Sequence, residues 1–211
     1  MSYTIAPLLG GTFDPVHNGH LRCALEISEW LKSPVRLVPS GQPAHRDAPG
    51  GSASDRLAML RAATATYATL VVDDREVRRA GDTYSVDTLE ALTAEEPGTA
   101  FAFIVGADAF AGLTRWRRWE RLTELTHFIL VDRPGQAAPL PEVLERWAAP
   151  RRTRDPARLA DARSGLILEA EITPLELSAT MLRGLLRAGR DPAFLVPDRV
   201  RDYLLAHRVY R

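Results

Sequence analysis

The stretch Tyr3-Thr-Ile-Ala-Pro-Leu-Leu9, continued by Gly10-Gly11-Thr12-Phe13-Asp14-Pro15-Val16-His17-Asn18-Gly19-His20, decides the fold. Its first seven residues are a short apolar run that reads as a buried strand. Gly10 and Gly11 let the backbone turn tightly and bring N–H groups close to a ligand. Asp14-Pro15 predicts an extended step before the next turn. Leu21, Ala24, Leu25, Ser28 and Leu31 then recur at helical spacing. His17 and His20 lie three apart at the entrance to that helix. Both rings therefore point toward its N-terminus, where phosphate is favoured.

Working outward, the same alternation continues. Residues 34–39, 70–72, 101–105, 127–131 and 166–172 read as further strands. The segment 40–53 is rich in Gly, Pro and Ser and reads as a loop. A helix capped by Ser54 or Asp55 is predicted to run to about Tyr67, and Asp82 or Ser85 opens another through Val86, Leu89 and Leu92. Residues 113–125 form an aromatic and basic helical stretch. Residues 134–164 read as a loop and a short helix over the surface. Helices follow over 179–188 and 197–207, the second with Pro197 in its first turn. Strand–helix–strand alternation predicts a doubly wound, mostly parallel α/β sheet covered on both faces. One domain spans residues 1–211, with residues 174–211 as a helical part at its end. Ligands of such sheets bind beyond the carboxyl ends of the strands, so the loops after Leu9, Val38, Val72, Val105, Val131 and Ile172 carry the chemistry.

Composition excludes several classes. With 211 residues, 45% hydrophobic and 26% charged, the chain is an ordinary globular protein rather than a disordered one. Lys+Arg and Asp+Glu are both 27, so no net basic field exists to hold nucleic acid. Lys32 is the sole lysine and stands in Trp30-Leu31-Lys32-Ser33, which is no P-loop; a Schiff-base enzyme is excluded with it. No Gly-x-Gly occurs, so the dinucleotide fingerprint is missing. One cysteine, Cys23, allows no internal disulfide or multi-cysteine zinc site, and reads as a small buried hydrophobe. Two histidines alone make a poor zinc site, so no metal ligands are assigned. The apolar run near Ile5 is too short for a signal peptide's core or a membrane span, which predicts a cytoplasmic protein without membrane partners.

A second anion site is legible near the other end. Ser178 and Thr180 precede an apolar helix of Met181, Leu182, Leu185 and Leu186, and Arg183 lies three residues past Thr180. N–H groups, hydroxyls and a guanidinium there converge on one anion. Paired with the histidines, they make the second half of a triphosphate clamp. Asp108, just past the 101–105 strand, is placed to accept hydrogen bonds from ribose hydroxyls. His45-Arg46 is a basic pair in the loop after the second strand. Trp116 and Trp119 sit among Arg115, Arg117 and Arg118, where helix anchoring suits Trp119 better. His127 and His207 read as structural.

The string from Gly10 to His20 resembles the signature of the nucleotidyltransferase superfamily, and the whole chain resembles the bacterial nicotinate-nucleotide adenylyltransferases. The segments Leu37-Val-Pro-Ser-Gly-Gln-Pro-Ala-His45-Arg46, Gly81-Asp-Thr-Tyr-Ser-Val-Asp87-Thr-Leu, Phe103-Ile-Val-Gly-Ala-Asp108, Trp116 and Leu177-Ser-Ala-Thr-Met-Leu-Arg183 carry the likeness in the same order. The resemblance implies a Rossmann-like nucleotidyltransferase fold and adenylyl transfer from ATP to nicotinate mononucleotide in NAD biosynthesis. It implies ATP contacts at Gly10, Gly11, Thr12, Phe13, His17, His20, Asp108, Ser178, Thr180 and Arg183, with His17, His20 and Arg183 catalytic. It implies mononucleotide contacts at His45, Arg46, Tyr84, Ser85, Trp116 and Arg117, and Mg²⁺ carried by the ATP phosphates. The family usually has a second Ser where Ala179 stands. Two other readings stand beside this one: a relative with phosphopantetheine or dual mononucleotide specificity, and a catalytically silent nucleotide sensor. The sequence leaves homo-oligomer formation open.

Overall fold

The computed structural model describes residues 2–43, 48–131 and 139–210. The chain opens with β1 (Thr4–Gly11), passes through α1 (Asn18–Leu31) to β2 (Val35–Pro39), and adds the two-residue strand β3 (Gln42–Pro43). Then come α2 (Ala53–Thr64), β4 (Leu70–Val72), the single turn α3 (Arg75–Arg78), β5 (Asp82–Thr83) and α4 (Ser85–Glu95). β6 (Thr99–Gly106), α5 (Ala107–Ala111), α6 (Trp119–Leu125) and β7 (Thr126–Val131) follow. The rest holds α7 (Glu142–Ala148), β8 (Arg152–Thr153), β9 (Ile167–Ala170), α8 (Ala179–Arg187) and α9 (Asp198–Ala206).

Seven strands form one sheet in the order β4-β2-β1-β6-β7-β9-β8, every neighbouring pair parallel. This is the doubly wound α/β sheet that the alternation predicts. The chain leaves β1 through β2 and β4, then returns to the other side at β6. Strand order therefore reverses between β1 and β6, and the crevice beyond their carboxyl ends is the natural ligand site. β3 pairs with β5 apart from the main sheet and ties the segment after β2 to the turn that opens α4.

β6 shows why the sheet is buried on both faces. Phe101 and Val105 pack with Leu89, Phe110, Leu122 and Phe128 on one side. Ala102 and Ile104 pack with Ile27, Met59, Leu182 and Leu204 on the other. Successive side chains point to opposite faces, so a strand covered twice reads as a continuous apolar run. Each such Leu, Ile or Phe contributes about 1.5–3 kcal/mol by burial.

Several elements differ from the sequence reading. Ser52, rather than Ser54 or Asp55, caps α2: its hydroxyl accepts the Asp55 N–H at 3.1 Å. The helical stretch over 113–125 is broken. A 3-10 turn ends at Arg115, Trp116 is extended, Arg118 is left-handed at φ 53°, and the helix resumes at Trp119. One continuous helix face could not turn Trp116 to the crevice while packing Leu122 and Leu125 into the core. The 134–164 region is more than a surface cover. It adds β8 beside β9 and buries Leu144, Ala148 and Leu159 completely. Pro197 precedes α9 as its cap rather than sitting in its first turn.

Candidate active site

A cleft of about 670 Å³ opens at the switch point, lined by Gly10, Gly11 and Thr12 after β1 and by Asp108 after β6. Its far wall carries Tyr84, Ser85, Arg115, Trp116 and Arg117. Gly10 is needed because a Cβ there would lie 2.9 Å from the Phe103 ring of β6. That ring meets Trp116 edge to face, with 6.0 Å between centroids. Tyr84 is extended and Ser85 is the first residue of α4, whose opening N–H groups have no intrahelical acceptor. The Arg117 guanidinium lies over the Tyr84 ring at 4.4 Å, a cation–π contact that holds both at the cleft wall. Arg118 is drawn away to Glu90 by two hydrogen bonds of 3.0 and 2.8 Å. Arg118 is therefore paired away from the cleft wall.

Beside the cleft, the signature loop folds into the start of α1. His17 and His20 stack with 3.7 Å between ring centroids. Nδ1 of His20 accepts the His17 backbone N–H at 3.3 Å, which leaves Nε2 as the donor of the neutral ring. Gly19 stands where a Cβ would come within 3.0 Å of the His17 ring. Phe13 is buried and left-handed at φ 49°, and its ring supports His20 edge-on at 5.1 Å. Its side chain thus holds the site from beneath. The Asp14–Pro15 peptide is cis.

The α8 motif reaches this loop across the sequence. Ser178 caps α8, its hydroxyl accepting the Met181 N–H at 3.2 Å. Arg183 Nη1 donates to the Asp14 carbonyl at 2.7 Å, and its Nη2 donates to the Thr180 hydroxyl at 3.2 Å. The structure thus brings His17, His20, Thr180 and Arg183 to one loop. Gly10, Gly11, Thr12, Asp108, Tyr84, Ser85, Trp116 and Arg117 line the cleft. His45 and Arg46 lie outside the described residues.

Sequence reasoning missed several residues. Arg56 is 1% exposed and donates to the carbonyls of Thr12, Ser40 and Gly41, each at 2.7 Å, and of Gly51 at 3.3 Å. It staples the signature loop to the segment after β2. Asp14, 4% exposed, gathers the Gly50 and Gly51 N–H groups, the Tyr210 hydroxyl and Arg183. Glu76 lines the cleft, and burial raises its carboxyl above the usual carboxylate range while the Thr88 hydroxyl donates to it at 2.7 Å. The DP step in the signature was the one available signal, and it pointed to Asp14. His127, expected to be structural, is buried with Nδ1 accepting from Leu166 and Nε2 bonded to the Ala162 carbonyl.

A glycine turn that feeds a helix start carrying two stacked histidines, beside a cleft with an aromatic wall, is a layout that suits a nucleotide-transferring enzyme. Residues 8–185 match the family described as cytidylyltransferase-like. A protein of Pseudomonas syringae pv. tomato described as "probable nicotinate-nucleotide adenylyltransferase" is 46% identical over 206 residues, covering 97% of this chain and 92% of its own. A protein of Acidithiobacillus ferrooxidans with the same description is 42% identical, covering 97% and 94%. The solved Plasmodium falciparum nicotinic acid mononucleotide adenylyltransferase complexed with NaAD shares the fold, with a TM-score of 0.76 at 17% identity over 99% of this chain and 98% of that one. The chain belongs to the cytidylyltransferase-like family, and within it to the nicotinate-nucleotide adenylyltransferases.

Proposed function

We propose that the chain transfers the adenylyl group of ATP to nicotinate mononucleotide in NAD biosynthesis. A phosphate oxygen of the mononucleotide attacks the α-phosphorus. The bond to the β-phosphate oxygen breaks, and pyrophosphate leaves beside nicotinate adenine dinucleotide. No protein nucleophile takes part, so catalysis is positioning and charge stabilisation. His17, His20, Thr180 and Arg183 hold the triphosphate with the Gly11–Thr12 backbone, Ser178 sets the start of α8, and Asp108 accepts from ribose hydroxyls. Trp116 stacks on the pyridine ring. Main-chain N–H groups at Ser85 and Arg117 donate to its carboxylate, and His45 and Arg46 take the mononucleotide's phosphate. The observation that carries this reading is that Trp116 and the start of α4 line the same cleft as the Gly10–Gly11 turn.

Mg²⁺ is the metal we assign, carried by ATP phosphates and water. Among the described residues no group of three or more His, Cys, Asp or Glu could hold a metal ion, and the Asp14 carboxylate is already ringed by donors. Riding on the phosphates, the ion would neutralise charge on the departing pyrophosphate. No helix among the described residues is long and apolar enough to cross a membrane. With balanced charge and one cysteine, the chain fits work on small nucleotides in the cytoplasm rather than on nucleic acid. We treat the whole chain as one nucleotidyltransferase domain in which residues 174–211 supply α8 and α9.

The test is pyrophosphate release from ATP with nicotinate or nicotinamide mononucleotide. Release with the acid at an efficiency at least ~10²-fold above the amide is expected, a gap of about 2.7 kcal/mol. Equal rates would make it a dual-specificity enzyme, and ATP binding without release would make it a sensor.

A further inference from the structure

Asp14 lies at the bend between β1 and α1, and its two oxygens collect donors from distant parts of the chain. Oδ2 accepts the Gly50 N–H at 2.8 Å, and Oδ1 accepts the Gly51 N–H at 2.9 Å. Oδ1 also accepts the Tyr210 hydroxyl at 2.7 Å, from just past α9. Arg183 Nη1 lies 3.3 Å from Oδ2 while it bonds the Asp14 carbonyl. The segment just before α2, the signature loop, α8 and the segment after α9 therefore meet on one carboxylate.

Tyr210 is built into this spot. Its backbone is left-handed at φ 70°, which turns the ring inward at a cost that only a held side chain would offset. A Cβ on Gly50 would lie 3.1 Å from the ring, and one on Gly51 would lie 2.9 Å from the hydroxyl. The two glycines thus leave a slot of the ring's own size. Burial and the neighbouring Asp14 push the phenol well above its ordinary range, so the hydroxyl remains a donor wherever the enzyme works.

We propose that Tyr210 is a positioning residue for adenylyl transfer: its hydroxyl fixes the Asp14 carboxylate, and Asp14 in turn sets the Arg183 guanidinium for the triphosphate. This rests on the reading of Arg183 as a triphosphate contact. Without the hydroxyl, Oδ1 keeps one donor, the Gly51 N–H, and the carboxylate is held less firmly beside Arg183. The guanidinium then loses its fixed partner, and ATP must order it on binding.

The experiment uses the full chain and a non-hydrolysable ATP analogue, whose affinity does not depend on which acceptor the enzyme prefers. Tyr210→Phe keeps the ring and removes the hydroxyl. It should weaken the analogue and raise the KM for ATP by about 5–10-fold, part of what a lost hydrogen bond to a charged group is worth, because the effect reaches ATP through Asp14 and Arg183. The KM for the mononucleotide should stay within about twofold. In an Arg183→Ala background Tyr210→Phe should have no further effect on the analogue, because coupled residues are not additive. Gly51→Ala, whose methyl would lie 2.9 Å from the hydroxyl and 3.2 Å from Asp14 Oδ1, disturbs the same pair and should reproduce the loss if Tyr210→Phe folds poorly. A lowered Tm with wild-type analogue affinity, or additive losses in the double variant, overturns the proposal. If Arg183→Ala alone leaves analogue affinity at wild type, the triphosphate role of Arg183 falls as well.

Discussion

The rings of His17 and His20 lie face to face, 3.7 Å apart and 23° from parallel. His20 is pinned through Nδ1 to the His17 backbone and braced by Phe13, so its Nε2–H is held in place before any ligand arrives. A preorganised donor at developing phosphate charge supplies about 3–4 kcal/mol. His20→Ala is therefore expected to lower kcat by about 10²–10³-fold. The lost N-cap bond should cost the fold only about 1 kcal/mol. Steady-state kinetics and a thermal melt on one sample check both figures; a loss of activity under about tenfold would remove His20 from the chemistry.

Arg183 uses two nitrogens at once, Nη1 on Asp14 and Nη2 on Thr180. Lysine keeps the charge but has no planar fork. Arg183→Lys should raise the KM for ATP by about tenfold, the size of one lost charge-assisted bond. The mononucleotide's KM should barely move. Unchanged values for both substrates would separate Arg183 from the triphosphate.

Arg56 ties three separate segments together from the interior. Its guanidinium serves four carbonyls in the interior, with Asp14 as the nearby countercharge. Arg56→Met fills similar space but strands those acceptors and leaves Asp14 less compensated. A loss of about 3–5 kcal/mol is expected in urea unfolding, and a loss below about 1 kcal/mol would mean that water replaces the guanidinium.

Local patterns made much of this legible. The apolar run of β6, the Gly10–Gly11 turn and the Ser178 cap each announce themselves within a few residues of chain. The switch point follows from their order. Arg56 and Tyr210 did not, because their meaning lies in partners far away: Tyr210 meets Asp14 across the whole fold. A buried arginine looks like any surface arginine in a chain with one lysine. The break at Arg118 was hidden for a related reason. Its side chain pairs with Glu90 on α4, a contact that helical periodicity cannot register. β8 was missed because a two-residue edge strand has no period to read.

His127 gives the fold a pH dependence with a definite sign. Burial pushes its pKa below the ordinary histidine value, so the unfolded chain takes up the proton first. Its contribution is intact above about pH 6.5 and is lost as the pH falls through that value toward the folded-state pKa. Glu76, with a raised pKa, works in the opposite direction: acidification relieves the cost of its burial. His127→Gln removes the first effect and leaves the second. The variant should be less stable at about pH 7.5, and the gap to wild type should narrow by about pH 5.5, with a slope no steeper than ~1.4 kcal/mol per pH unit. Urea midpoints at the two pH values check this; an unchanged gap would show that His127 does not titrate on unfolding.

On the proposed reading, substrate choice rests on the backbone N–H groups of Ser85, at the start of α4, and of Arg117. Tyr84 is extended at φ −129° and ψ 137°, and Ser85 opens the helix. Proline is well tolerated at a first helical position, and an extended residue before it is the conformation proline prefers. Ser85→Pro therefore deletes the Ser85 N–H while leaving α4 and the Trp116 slot in place. If that N–H donates to the nicotinate carboxylate, the variant loses a charge-assisted bond, about 1.5–3 kcal/mol, or roughly 10–100-fold in kcat/KM for the acid. The amide forms a weaker bond there, so its kcat/KM should fall by less, about threefold. The acid-over-amide ratio should then shrink by about one order of magnitude. Ser85→Ala controls for the hydroxyl and should keep the ratio. Trp116→Ala should weaken both mononucleotides and also keep it, since stacking does not read charge. Pyrophosphate release with each mononucleotide at matched ATP measures all three. A ratio that survives Ser85→Pro would assign discrimination to another donor on the same wall, with the Arg117 main chain the first to test.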